Sequence, residues 1–329
     1  MTLAPPPWPA WLAHAPAPFA HGAYRAFGAL ADEIACLTTE ATKAPCPDLA
    51  SIEIRGPDAL DFLHGQFSGD IRALTTGASV LTAWCSAKGR VLFLVRVLRS
   101  ADALHVLLPR AAAAAFVKRL RLYVLRAAVE IVDCSDSRGV LVINSPHALA
   151  LPAVAAPLCL GSSADQRQHW LLGDFDPLAA AWQAMTTTAV GTAAAAVADI
   201  RRGLPALAPA LTDEFLPQEL NLDVLDGVSF NKGCYPGQEI VARVKFRGAV
   251  KRRLQRFRGT GDAAPAAGER VLSGTGNPVG TVLVSAPTAS ATFDLLAVVD
   301  IDAQSTTPLL LATGALALTP AELPYAAVC

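Results

Sequence analysis

Apolar positions along this chain switch between two spacings, and the switches mark its elements. Residues 49–54 alternate, which predicts a strand. Gly56-Pro57-Asp58 then opens a helix, with proline in its first turn and an acid close behind. Leu60, Leu63 and Phe67 fall at i, i+3 and i+7 and give that helix one apolar face. Residues 80–85 and 90–98 are strand-like and joined by Ala87-Lys88-Gly89, a hairpin signal. A third run covers 104–108, and Pro109 starts an alanine-rich helix to about Tyr123, followed by a strand over 128–132. This order predicts an α+β unit with an antiparallel sheet.

Further strands are predicted at 138–144 and 169–174, separated by a proline-punctuated stretch with no clear period. Helices follow at 177–185 and 194–202, the second stopped by Gly203 with Pro205 beyond. After about residue 250 short β-rich segments, 279–284 and 295–301, alternate with Gly, Pro, Ser and Thr, the pattern of a small all-β domain, read as a barrel. Gly274-Thr275-Gly276-Asn277 lacks the Gly-Lys pair of a phosphate loop and reads as a hairpin turn. The segment after Gly237 fits two periods. Ile240, Ala242, Val244 and Phe246 alternate as in a strand, but Glu239 early, Lys245 and Arg247 late and Gly248 beyond favour a short helix.

At 329 residues the chain is long for one core, and two or three domains are expected. A formal net charge of −1 supplies no global field towards nucleic acid or anionic lipid. No stretch reaches the roughly 18 uninterrupted apolar residues of a membrane span; the best, 146–161, is broken by three prolines and contains His147. The Pro/Ala-rich residues 1–21 lack a basic region and read as a flexible tail. Seven cysteines, at 36, 46, 85, 134, 159, 234 and 329, form no C-x-x-C pair and no zinc spacing. That distribution fits a reducing cytoplasm and argues against a stably held metal or four-cysteine cluster. His64, His105 and His169 have no partner at metal spacing and read as surface or core histidines; Trp84 reads as core.

Chemistry concentrates at Asn231-Lys232-Gly233-Cys234-Tyr235-Pro236-Gly237-Gln238-Glu239. A thiol reacts as its thiolate, which a nearby cation or a helix N-terminus favours. Lys232 stands two residues before Cys234, and the predicted helix begins just after. The alternative for Cys234 is an inert structural cysteine in a Gly/Pro turn. Seven cations between Lys245 and Arg258, among them Arg252, Arg253 and Arg256, could dock tRNA phosphates or an acidic protein partner, or form a solvated linker and strand face.

Phe230–Glu239, followed by Val241-Ala242-Arg243 and Phe246-Arg247-Gly248, resembles the signature of the YgfZ family, folate-binding-like proteins related to the aminomethyltransferase (T-protein, GcvT) of the glycine cleavage system. Phe62-Leu63-His64-Gly65-Gln66 with Asp70, Cys85–Arg90, Gly203-Leu204-Pro205 and Phe215–Gln218 with Asn221-Leu222 extend the resemblance over about residues 45–260. It implies a ring of two α+β parts, one of them ferredoxin-like, and a C-terminal β-barrel. The division it implies is 22–55 plus 133–247 for the part carrying the cysteine motif, 56–132 for the ferredoxin-like part and 248–329 for the barrel.

The resemblance also implies a function: supporting [4Fe–4S] enzymes such as radical-SAM tRNA-modifying enzymes, in the cytoplasm, as a monomer. Cys234 would be the working thiol and a transient metal ligand. Lys232 and Glu239 would share its site, with Gly233, Tyr235, Gly237, Gln238 and Arg243 completing the motif. Expected partners are iron–sulfur enzymes or cluster carriers, with possible tRNA contact. A tetrahydrofolate pocket would fall at Leu49, Gln66, Ala195 and Arg201. Two departures stand out. The T-protein acidic pair is replaced by Leu92 and Phe93, which argues against aminomethyl transfer. Leu49 and Ala195 stand where folate-binding relatives carry tryptophan, and Arg201 where they carry glutamate. The rival readings are a folate-dependent aminomethyltransferase and a tRNA-associated protein using residues 245–258.

Overall fold

The computed structural model describes residues 26–151, 159–305, 308–313 and 316–326; the tail expected at 1–21 lies outside them. The first sheet has strand order β10-β1-β7-β9-β8, formed by β1 (Thr42–Pro45), β7 (Arg138–Asn144), β8 (Cys159–Ser162), β9 (Gln168–Asp174) and β10 (Thr188–Ala189). It is antiparallel except for the β1–β10 edge. Helices α1 (Leu30–Cys36), α4 (Phe175–Ala184) and α5 (Thr192–Arg201) accompany it.

The second sheet, order β3-β4-β5-β2-β6, contains β2 (Leu49–Arg55), β3 (Ser79–Cys85), β4 (Val91–Arg99), β5 (Leu104–Pro109) and β6 (Glu130–Asp133). Helices α2 (Ala59–Gln66) and α3 (Arg110–Arg121) bury Phe62, Leu63, Phe116 and Leu120 against Ile52, Ile54 and Val106. Without β3 the order is β4-β5-β2-β6, the 4-1-3-2 arrangement of a ferredoxin-like βαββαβ unit, and β3 is an added edge strand. The expected division is corrected here. Residues 49–55 hydrogen-bond on both sides within this sheet, to β5 and to β6, and Asp133 pairs with Ile52. β2 therefore belongs with the ferredoxin-like part, and the break falls at 46–48.

The third element is a closed barrel, β11-β14-β13-β12-β15-β16, built from β11 (Arg252–Thr260), β12 (Arg270–Leu272), β13 (Pro278–Ala289), β14 (Thr292–Asp300), β15 (Leu309–Leu311) and β16 (Ala317–Ala321). Phe257, Phe293, Leu295 and Val299 fill it. One large core joins all three parts. It runs from Leu30 and Ala44 through Leu94, Val197 and Phe215 to Leu254, Leu283 and Val298. Trp84 is a core residue, packed on Phe67, Phe93 and Phe116. Phe67, expected on the helix face, instead follows α2 in extended conformation and bridges to Trp84.

Candidate functional site

The stretch after the cysteine is a helix, α6 (Gln238–Arg247), with Glu239 in its first turn and Lys245 and Arg247 in its last. That charge order matches the helix dipole, which outweighs the strand-like alternation. Gln218 donates to the Val241 carbonyl at 2.7 Å and ties α6 to the preceding segment.

The loop before α6 is pinned on both sides of Cys234. On one side the Lys232 ammonium donates to the carbonyls of His64, Phe67 (2.6 Å) and Gly69 (3.1 Å), where α2 ends. Burial pulls its pKa down to about 8, so it remains charged at neutral pH, with three hydrogens for three acceptors. The α2 turn is itself fixed: Ser68 and Thr82 both donate to the Gly227 carbonyl, at 2.7 and 2.9 Å. His64 is buried, its Nδ1 3.3 Å from Asp70; burial, then the Lys232 charge, lowers its pKa. On the other side Tyr235 is buried, with the Lys232 Nζ 5.1 Å from its ring centroid. Burial raises the pKa of its phenol.

The third anchor is the turn into α6. Gly237 has φ +78°, and a Cβ there would lie 2.3 Å from the Ser86 carbonyl oxygen and 2.6 Å from the Gly89 Cα. The Cys85–Arg90 hairpin and the cysteine loop thus meet backbone to backbone. A Cβ on Gly233 would meet nothing within 4 Å. Between the anchors Gly233 and Cys234 stand exposed, as does Glu239.

This geometry changes the role expected of Lys232. All three of its donors are used by carbonyls, which leaves none for a Cys234 thiolate. Lys232 holds the loop in place. Gln238 is half-buried at the first position of α6, and Arg243 is exposed one turn further on. The tie through Gln218 and the Ser68–Thr82–Gly227 network were missed from sequence; the only signal was that Gln218 closes the Phe215–Gln218 stretch and Ser68 lies between Gln66 and Asp70, in stretches that carry the resemblance.

Cys234 is the exposed cysteine among the described residues. Burial pushes the thiol of Cys85 up to about 12 and that of Cys159 to about 11, and also raises Cys46 and Cys134. Alkylation of the folded protein near neutral pH is expected to modify Cys234 about tenfold or more faster than these four. Peptide mapping after brief iodoacetamide treatment checks this, and equal labelling would count against an accessible working thiol.

The four positions expected to form a folate pocket do not supply one set of polar groups. Leu49 and Ala195 pack against the large core. Arg201 pairs with Asp294 at 3.1 Å, across to the barrel. Gln66 alone offers a free acceptor, its buried Oε1. None of the four side chains is a carboxylate, so by their chemistry these four residues do not supply the acid expected to meet a pteridine. Leu92 is buried, and Phe93 packs on Trp84 and Phe116 at 5.6 and 5.4 Å. Among the described residues no three His, Cys, Asp or Glu side chains gather as a metal site, and no helix is long and apolar enough to cross a membrane.

The basic run at 245–258 is not one patch. Arg252 pairs with Glu219 at 2.9 Å, Arg253 is buried and bidentate on Asp223 at 2.6 and 3.0 Å, and Arg256 is buried on Asp294 at 2.9 Å. Arg252 and Arg253 join the barrel to the preceding segment and Arg256 ties two barrel strands together, so these cations do not form a phosphate surface with the rest of the run.

Two α+β parts, a closed barrel and an exposed thiol held on an anchored loop define an aminomethyltransferase-fold protein with a cysteine site. The solved structure of the glycine cleavage system aminomethyltransferase T from Bartonella henselae shares this fold, with TM-score 0.75 and 16% identity over 96% of this chain and 95% of that one. The GCVT N-terminal domain model matches residues 10–159. The tRNA-modifying protein YgfZ of Edwardsiella ictaluri is 33% identical, covering 84% of this chain and 90% of its own; that of Serratia proteamaculans is 31% identical with the same coverage. The chain belongs to the YgfZ family.

Proposed function

We propose that this chain supports the assembly or repair of [4Fe–4S] enzymes, among them radical-SAM enzymes that modify tRNA, and that it does so through Cys234. The observation that carries this reading is the exposed thiol, held between the Lys232 and Tyr235 anchors, in a chain similar to proteins named as tRNA-modifying. One thiolate is a poor permanent holder of a cluster, which takes four such ligands. It suits transient ligation of a cluster iron, displacing and then returning one of the cluster's ligands, or exchange with a partner's persulfide or disulfide in which the partner's thiolate leaves, with the cluster as cargo. A reducing cytoplasm keeps such a lone thiol available. The family relationship supports a role in tRNA modification; cluster chemistry at Cys234 is the further step proposed. No step is assigned to a folate. Leu92 and Phe93, as core side chains, offer no proton transfer for aminomethyl transfer.

The test is 2-methylthio modification of tRNA in a bacterial strain lacking its own family member, complemented with this protein or with Cys234→Ser. The wild type is expected to restore modification and the variant to leave it at the deletion level. Restoration by both would keep the pathway and remove the cysteine from it. Restoration by neither, with both proteins soluble, would overturn the proposal.

A further inference from the structure

Large apolar side chains that stand exposed among the described residues are Leu122 (72%), Tyr123 (40%), Leu125 (87%) and Phe246 (69%). All four fall within two short basic stretches, 118–126 from the last turn of α3 onward and 243–247 in α6. The first carries Lys118, Arg119, Arg121 and Arg126; the second carries Arg243, Lys245 and Arg247; neither contains an acid. These seven cations are exposed. Unlike Arg252, Arg253 and Arg256, they form no ion pair among the described residues. In a chain of net charge −1, this concentrates positive charge without acidic partners around apolar side chains, with Arg119 over the Trp84 ring and Lys245 over the Phe230 ring.

Both stretches adjoin the supports of the cysteine loop. Tyr123 packs edge-on against Trp84 with centroids 5.5 Å apart, and Trp84 against Phe67 at 6.4 Å. The Phe67 carbonyl is one of the three that hold Lys232. On the other side α6 begins where the loop ends, and Phe246 packs edge-on against Phe230, just before the motif, at 5.9 Å.

We propose that the two stretches form a docking face around Cys234 for a protein partner that presents apolar contacts rimmed by Asp and Glu. This rests on the reading that Cys234 acts on another protein. Charge complementarity selects the partner class. An RNA would satisfy the cations but leave Leu122 and Leu125 in water, because aliphatic side chains offer no face for stacking bases. A bilayer needs a continuous apolar face, whereas the exposed Asn231 and Cys234 of the loop and Glu239 in the first turn of α6 lie just before the second stretch in the sequence and are polar. An acidic protein surface meets both demands: apolar anchors are covered while charges at the rim steer approach and fix register.

The probe is a purified radical-SAM methylthiotransferase acting on tRNA. Its binding is measured with wild type, Cys234→Ser, Leu122→Ser/Leu125→Ser and Arg119→Glu/Arg126→Glu. Wild type and Cys234→Ser are expected to bind alike, and each double variant to bind about tenfold or more weakly. Added salt should weaken binding further. The double variants should unfold like wild type and keep the Cys234 alkylation rate, yet fail to restore tRNA modification. The proposal is overturned if they bind and complement as wild type does, or if wild type does not bind the enzyme. It is also overturned if these substitutions weaken binding to bulk tRNA or anionic vesicles and not to the enzyme. Failure of Cys234→Ser alone to complement would overturn the docking face while leaving the proposed function standing.

Discussion

Asp294→Ala is expected to destabilise the protein by about 3–5 kcal/mol, the usual cost of removing one partner from a buried ion pair. Asp294 lies on β14 with 2% of its surface exposed. Its Oδ2 takes Arg256 at 2.9 Å and Arg201 at 3.1 Å, and its Oδ1 faces Arg258 at 3.8 Å. Arg258 is mostly in water, so its share is screened. Arg256 is buried, and without Asp294 its charge has no compensation. Burial already lowers its pKa, with Asp294 opposing. Arg201 ends α5, so the same substitution loosens the contact between that helix and the barrel. Urea unfolding measures the loss, and the melting temperature should fall by roughly 10 °C. Arg256→Met added to Asp294→Ala removes the stranded charge and should recover much of the loss, a coupling that a double-mutant cycle reads directly. A single variant within about 1 kcal/mol of wild type would sink this account.

The Asp294 cluster also shows where sequence reasoning stops. Cations at 252, 253 and 256 look like a surface patch because their partners, Glu219, Asp223 and Asp294, lie roughly 30 to 40 positions away. Arg201 looks like a lost folate contact for the same reason. The elements themselves were legible. Strand-like runs marked β2 to β5, β7, β9 and, in the barrel, β13 and β14, while charge order and the terminal glycine marked α6 against a competing alternation; β11 was not seen, because its apolar positions are interleaved with the basic run. Which sheet a strand joins was not legible: side-chain period states that residues 49–55 form a strand and leaves open that β5 and β6 flank it. β12, β15 and β16 are three to five residues long and carry too little period to be seen. At the site, Cys234 and its motif were legible by composition. The task of Lys232 was not, because its acceptors are backbone carbonyls 163 to 168 positions earlier, and any residue can supply a carbonyl.

Gly237→Ala should separate the placement of the thiol from its chemistry. At φ +78° an alanine bears a left-handed penalty of about 1–2 kcal/mol. Its Cβ would also stand 2.3 Å from the Ser86 carbonyl oxygen, and the nearest atoms all belong to the hairpin backbone, with no flexible side chain to move aside. Gly89, facing it at φ +73°, has the Gly237 carbonyl oxygen 3.2 Å from where its own Cβ would be. Neither strand of this contact can yield alone, so the cysteine loop must lift off the hairpin. The variant should lose tRNA-modification activity as fully as Cys234→Ser while keeping its thiol, and faster amide exchange should be confined to 231–240 and 85–90. Gly233→Ala is the control, because open space surrounds its Cβ and its stability should stay within about 0.5 kcal/mol of wild type. If Gly237→Ala restores modification with unchanged exchange, the loop tolerates displacement, and an exposed thiol in the neighbourhood is enough. If it fails as expected, function depends on where the thiol is held as well as on the sulfur itself.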